Sequence, residues 1–415
     1  MIKFRRETEF KETEIGEIPR DWEVSEIGEF YNLKYGITLS SLNYGNCRLL
    51  RQTDLKEGEI LIENIPYSMA PEDKIEPYSL KPDDLVISRI ANIGTVGYIS
   101  KKYLDFIDKP LLFGSYLLKF EKIKKINNKF TFYFLASSQM QEYIKSIGEG
   151  STRANTNAKV VGKFPLVIPP LPEQSRIATV LSYFDDLIEN KKRQNEILEK
   201  TAMAIFKNWF IDFEPFKDGE FVDSELGKIP KGWEVKKLKN FAYITMGQSP
   251  PSYAYNELGL GNPFIQGKGQ FGKYTPQTNV YCSVAGKKCQ ERDILLTVRA
   301  PVGELNIVDQ EYIIGRGVAS LRTNYWCYLF LFLSSSNEKL KSYERGTTYE
   351  AITKEELEIF PILSPPPPIL QKFHSLVEPL FQKIILNQKQ IMLLRKIRDK
   401  LLPLLVFGKL RVEEI

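Results

Sequence analysis

One unit is written twice in this sequence. Glu14, Ile15, Gly16, Glu17, Ile18, Pro19, Trp22, Glu23, Val24 and Ile27 return as Glu225, Leu226, Gly227, Lys228, Ile229, Pro230, Trp233, Glu234, Val235 and Leu238. The correspondence persists through the middle of the unit, where Asp84 to Ser88, Ala91, Ile93 and Gly94 match Asp293 to Thr297, Ala300, Val302 and Gly303. It closes with Gly150, Ser151, Thr152, Phe164, Pro165 and the run Pro169 to Pro172, answered by Gly346, Thr347, Thr348, Phe360, Pro361 and Pro365 to Pro368. A chain of 415 residues is long enough for two or three domains with cores of their own, and the repeat assigns one to each copy.

Each copy ends in a helical pattern. Ile177, Leu181, Phe184, Ile188, Leu198, Ala202, Ile205 and Trp209 follow spacings of three and four, broken by Lys191 and Asn195. Phe373, Val377, Leu380, Ile384, Ile391, Leu394, Leu401 and Leu405 do the same, broken by Asn387 and Arg398, and Pro379 predicts a kink or a later helix start. Apolar faces of this length need a partner, parallel or antiparallel; an end-to-end antiparallel alignment sets Asn195 opposite Asn387, where buried amides can hydrogen-bond and set register, the alternative being that both point to solvent. The proline runs read as stiff, extended leads into the helices. Between these elements come short β-rich stretches (Leu85 to Ser88, Tyr116 to Phe120, Val280 to Ser283, Ile294 to Val298) among Gly and Pro turns, so the expected fold class is α+β, with two repeated α/β domains each followed by a long helix, the two helices pairing as an antiparallel coiled coil.

The chemistry is defined largely by what is missing. Cys47, Cys282, Cys289 and Cys327 show no metal-ligand spacing and read as reduced, buried thiols; His374 is the single histidine and falls in a helical pattern. There is no phosphate-binding Gly-x-x-x-x-Gly-Lys-Ser/Thr loop and no Gly-x-Gly-x-x-Gly. Asn262, Pro263 and Phe264 lack the second proline of an amino-methyltransferase motif, and Asp84 and Asp293 read as turn residues rather than metal ligands. No metal or other cofactor is expected. Lys and Arg number 57 against 52 Asp and Glu, a net charge of +5, so any nucleic-acid surface must be local. The apolar run Leu401 to Phe407 is too short for a membrane span and is interrupted by Pro403; Met1 to Lys11 lack an apolar signal core, so a cytoplasmic location is expected.

Polar side chains beside turns form the coherent set: Arg51, Gln52, Thr53, Ser88, Arg89, Asn92, Arg153 and Asn155 in the first unit, and Gln248, Ser249, Gln266, Lys268, Arg299, Arg316, Arg345 and Thr347 in the second. Arg forks onto guanine, Gln and Asn pair with adenine, and Lys, Ser and Thr hold phosphates, so these are the side-chain types that read double-stranded DNA, although each taken singly reads more readily as a solvated surface residue. Gly36, Gly94, Gly247, Gly267, Gly303 and Gly317 allow close backbone approach or tight turns.

Over its whole length the chain resembles the specificity subunit of a type I restriction-modification system. The resemblance rests on the opener Gly16, Ile18, Pro19, Trp22 and Val24 with its copy, on the helix start Ile168, Pro169, Pro170, Leu171, Pro172, Glu173, Gln174, Ile177 and Ala178, and on the close Leu401 to Leu405, Phe407, Gly408 and Lys409. The second helix start departs from the pattern: Ile369, Leu370 and Gln371 lack the Glu that precedes Gln, which puts a shared capping or subunit contact there in doubt.

The resemblance implies two target-recognition domains reading an asymmetric two-part DNA site, a helical spacer, two methylation subunits docked on the shared regions, and restriction subunits joining through the complex. It implies a chain that recognises rather than catalyses, organised as residues 1–168 (first domain with an N-terminal arm), 169–214 (central spacer helix), 215–364 (second domain) and 365–415 (C-terminal spacer helix). Phe206, Phe210, Leu393 and Leu404 are expected to face outward from the helix seam and to dock the methylation subunits. A two-domain enzyme with its active site between the repeats is opposed by the single histidine and the missing nucleotide motifs; a protein-only scaffold is the other alternative.

Overall fold

The computed structural model describes residues 2–56, 58–148, 156–342 and 351–414. These form two compact units, Met1–Leu187 with Leu394–Ile415, and Ile188–Leu393.

Each unit is built on a four-stranded antiparallel sheet. In the first its order is Val96–Tyr98, Leu85–Ser88, Leu117–Lys122, Tyr31–Tyr35. In the second it is Leu305–Ile307, Ile294–Thr297, Val318–Arg322, Tyr243–Met246, the same order with the same connections. The central strands Leu85–Ser88 and Ile294–Thr297 are buried along their whole length, which is why their sequences are continuous apolar runs rather than alternating ones. A smaller sheet accompanies each. Its core is a parallel pair, Leu111–Phe113 beside Cys47–Leu50 in the first unit and Tyr312–Ile314 beside Asn262–Ile265 in the second.

The repeat opener belongs to a third element. Glu23–Glu26 pairs antiparallel with Pro165–Ile168, and Glu234–Lys237 with Pro361–Ser364, so the start of each repeat is tied to the strand that leads into its helix. Trp22 and Trp233 are buried beside these ribbons. The strand Lys3–Arg6 pairs antiparallel with Leu410–Glu414 within the first unit.

The long helices are Leu171–Phe210 and Pro367–Val406, 40 residues each and about 60 Å long. Asp185 meets Arg398 in the first unit and Asn195 meets Asn387 in the second, so residue numbers rise along one helix as they fall along the other: the pair is antiparallel. Pro379 neither delays nor interrupts the second helix, contrary to the sequence expectation. The extended leads are the strands Pro165–Ile168 and Pro361–Ser364; Pro172, Pro367 and Pro368 lie in the first helical turn, where a missing N–H leaves no bond unmade. Among the described residues no helix is long and apolar enough to cross a membrane.

Candidate nucleic-acid interface

In both units two backbones cross in contact at a pair of glycines. A Cβ on Gly36 would lie 2.2 Å from the Gly114 carbonyl oxygen, and one on Gly247 would lie 2.1 Å from that of Gly315. At the crossing Ile37 N donates to Phe113 O at 3.0 Å, and Gln248 N to Ile314 O at 3.0 Å. Only glycine tolerates this approach, so the position reads as a fixed point of the fold rather than a spare turn. Two more links follow in each unit. Gly114 N donates to Leu50 O and Arg89 N to Tyr116 O; their counterparts are Gly315 N to Ile265 O and Val298 N to Gly317 O. One end of each unit therefore gathers four strand ends, and most of the polar residues singled out above sit on them.

In the first unit the side chains divide by what they already hold. Arg51 is engaged internally: its Nη2 and Nε donate to the buried carboxylate of Asp54 at 2.7 and 3.1 Å, and Nη2 also reaches Asn64 O. The hydrogen bonds to Asp54 lead the rise of its pKa above the usual arginine value, against the opposing effect of burial. Ser88 is buried and donates its hydroxyl to Ile90 O at 3.0 Å, so it offers no phosphate contact. Gln52 is half-buried, and Thr53 and Asn92 are exposed. Arg89 donates Nε to Ser115 O at 2.9 Å, with Tyr35 and Tyr116 rings 5.4 and 5.9 Å from its guanidinium. The two tyrosines, both close to half exposed, were not singled out by sequence reasoning, which weighed only Arg, Lys, Gln, Asn, Ser and Thr.

In the second unit the corresponding place is lined differently. Val298 stands where Arg89 does, and Gly317 where Tyr116 does, by the matching backbone bonds. Gln266 is oriented instead by Ser249, whose hydroxyl lies 3.2 and 3.1 Å from its amide oxygen and nitrogen. Glycine is required at 317, where a Cβ would come within 2.4 Å of Gln266 O, and a Cβ at 315 would meet Gln266 Oε1 at 2.2 Å and displace that amide. Arg316 and Gln248 are exposed beside this pair, and Arg316 N approaches Ser249 Oγ at 3.4 Å. Lys268 forms an ion pair with Glu304, and Arg299 is exposed, its backbone bridging to Ala351. Arg153, Asn155, Arg345 and Thr347 lie outside the described residues.

Asp84 and Asp293 are turn residues. Asp84 accepts from Lys81 N at 2.8 Å, and Asp293 from Gln290 N at 2.9 Å, with Arg322 forked onto Asp293 at 2.7 and 2.8 Å. The four cysteines are buried and unpaired, and burial raises the Cys289 thiol to about 12. No cluster of metal-ligating side chains occurs among the described residues.

On the helices, Asn195 and Asn387 are fully buried and hydrogen-bonded to each other. Phe206 and Phe210 do not face outward. They are 1% and 4% exposed, packed in the second unit's core against Tyr328 and Phe373, so their expected surface placement is corrected. Leu393 and Leu404 are exposed, at 58% and 40%. The Glu missing from the second helix start has an internal partner set in the first: Glu173 pairs with Arg411 and accepts from Trp22 Nε1 at 3.2 Å. In the second unit Phe213 and Phe216 pack on Trp233.

The sequence profile described as the type I restriction modification DNA specificity domain matches residues 19–200 and 230–395. The type I restriction enzyme MjaIX specificity subunit of Methanocaldococcus jannaschii is 37% identical over 437 residues, covering 100% of this chain and 99% of that protein. The putative type I restriction enzyme MjaX specificity subunit of the same organism is 33% identical over 429 residues, again covering 100% and 99%. In fold the chain is similar to the crystal structure of the type I restriction-modification S subunit from M. genitalium, with a TM-score of 0.60 at 18% identity, covering 93% of this chain and 96% of that one. A duplicated profile match, one in each repeat, together with 37% and 33% identity to these relatives along the full length, means that the chain belongs to the type I restriction-modification DNA specificity family, as a specificity subunit with two target-recognition domains.

Proposed function

We propose that each domain, over residues 1–168 and 215–364, reads one half of an asymmetric two-part DNA site through the strand ends gathered at its glycine crossing. The observation that carries this is a shared backbone with unlike side chains: Arg89 between Tyr35 and Tyr116 in one unit, Gln266 on Ser249 above glycines in the other. A common scaffold with exchanged contacts is what two readers of different sequences need, since phosphate contacts position a domain and base-edge contacts specify. The remaining exposed candidates, Thr53, Asn92, Gln248, Lys268, Arg299 and Arg316, supply further base or phosphate contacts.

The two helices set the gap between the half-sites and dock two methylation subunits, and restriction subunits join through that complex. The chain itself recognises and assembles, in the cytoplasm, and its partners carry the chemistry.

The test is the methylation pattern of a host carrying the chain with its methylation subunits. Gln266→Ala should relax recognition at one position of one half-site, by about 1 to 3 kcal/mol of discrimination, and leave the other half-site unchanged. A uniform loss on specific and random DNA would make Gln266 a phosphate contact, and a loss in both half-sites would refute separate readers.

A further inference from the structure

The stretch Ile314 to Arg316 ties the second unit's strand ends together. Ile314 O accepts from Gln248 N at 3.0 Å, Gly315 N donates to Ile265 O at 2.8 Å, and Arg316 N approaches Ser249 Oγ at 3.4 Å. One more strand joins it. Lys288 pairs with Ile313 in an antiparallel ladder, and Ile314 N donates to Lys287 O at 2.8 Å, so Lys287 lies at this same end, one residue beyond the last ladder pair. The turn before it is pressed against the same strand, since a Cβ on Gly286 would lie 2.7 Å from Ile313 Cγ2. Nothing in the local sequence separates Lys287 from Lys288, and only the strand pairing brings Lys287 to the crossing.

The two neighbouring lysines differ in what they already hold. Lys288 forms an ion pair of 2.7 Å with Glu311. Lys287 and Arg316 are exposed and meet no carboxylate among the described residues. A paired lysine gives up its carboxylate before it can take a phosphate, and the carboxylate left behind repels that phosphate; an unpaired cation has only to exchange solvent and let the phosphate release its counterions. Two uncompensated cations therefore stand on the hydrogen-bonded frame that also carries Gln248 and Gln266. An ammonium on a flexible stem is a point charge that any phosphate satisfies, so it positions a duplex and specifies no base.

We propose that Lys287 and Arg316 grip the phosphate backbone of the second half-site and hold the duplex against Gln248 and Gln266 without reading sequence. This rests on the reading of each domain as a DNA reader.

The experiment uses the full chain assembled with its methylation subunits and measures binding to a duplex carrying its methylated target and to a random duplex over a series of salt concentrations. Lys287→Gln and Arg316→Gln should each lower the slope of log affinity against log salt by about 0.9 and weaken binding to both duplexes alike, by about fivefold to tenfold at about 0.1 M salt; together they should lower the slope by about 1.8. Lys287→Arg keeps the charge and should keep the slope. Both side chains are exposed, so the variants should melt at the wild-type temperature, and the sequence methylated in a host carrying them should be unchanged. A wild-type slope in either Gln variant overturns the proposal. So does discrimination lost at a single base position, which would make the residue a base contact, and so does loss of the methylation subunits with DNA binding by the chain intact, which would make it a protein contact. A wild-type complex with no preference for its target over random DNA refutes the recognition reading itself, an outcome separable from the other three.

Discussion

Asn387 Nδ2 donates to Asn195 Oδ1 at 2.8 Å between two helices that bury both side chains completely. Asn195 Nδ2 in turn reaches Ile384 O at 3.4 Å. A buried amide pair costs little when its groups face each other and more when a shifted register leaves them against leucines. Asn387→Leu alone should therefore destabilise the second unit by about 1 to 3 kcal/mol, because Asn195 loses its partner. The double change to Leu should recover most of that loss. Chemical denaturation of Asn195→Leu, Asn387→Leu and the double variant checks the ordering, and an additive double variant would remove the pair from the account of register.

Arg411 is the other internal hub. Its guanidinium binds Glu7 at 2.7 Å, Asp21 at 3.0 Å and Glu173, beneath the Trp22 ring. Arg411→Met should destabilise the first unit by about 3 kcal/mol, since Glu173, 3% exposed, loses its charged partner, while Glu7 keeps Arg5 at 3.7 Å. The Glu7 carboxyl is held below the ordinary value of 4.5, first by the backbone N–H groups of Glu9 and Thr8 and then by Arg411. A depressed folded pKa means that this stabilisation is complete above pH 4.5 and is lost as pH falls through the folded value. The gap in melting temperature between wild type and Arg411→Met should thus narrow on acidification below pH 4.5, and a constant gap would contradict the linkage.

Leu376, Leu386, Leu393, Ile397 and Leu404 are exposed on the second helix at spacings that a heptad brings to one face, away from the buried positions Val377, Ile384, Ile391 and Leu405. Leu393→Glu and Leu404→Glu should impair co-purification with methylation subunits without changing the melting of the isolated chain. Retention of the subunits by both variants would place the docking surface elsewhere.

Four residues inserted at the same level of both helices largely preserve the apolar seam. The insertion adds about 6 Å and 40° of helix, which compares with one to two base pairs of DNA. The methylation pattern of the variant should show an unread gap longer by one or two base pairs between unchanged half-sites. An unchanged gap would end the spacer model.

The repeat, the two helices and the central strands were legible in the sequence, each carried by local periodicity or by a doubled motif, whereas whether Asn195 and Asn387 meet or face solvent was left open by it. What the polar residues do was not legible. Arg51 and Arg89 are both arginines beside turns, yet the first is forked onto Asp54 while the second has two tyrosine rings 5.4 and 5.9 Å away, Tyr35 from a strand end and Tyr116 from a turn. Phe206 and Phe210 continue a helix whose pattern left their face open, and only the arrival of Tyr328 and Phe373, over a hundred residues on, buries them. Local sequence sets which elements form, because hydrogen bonds and periodic burial act over a few residues. Which side chains remain available to a ligand is set by contacts between elements distant in the chain, and these exist only in the folded structure.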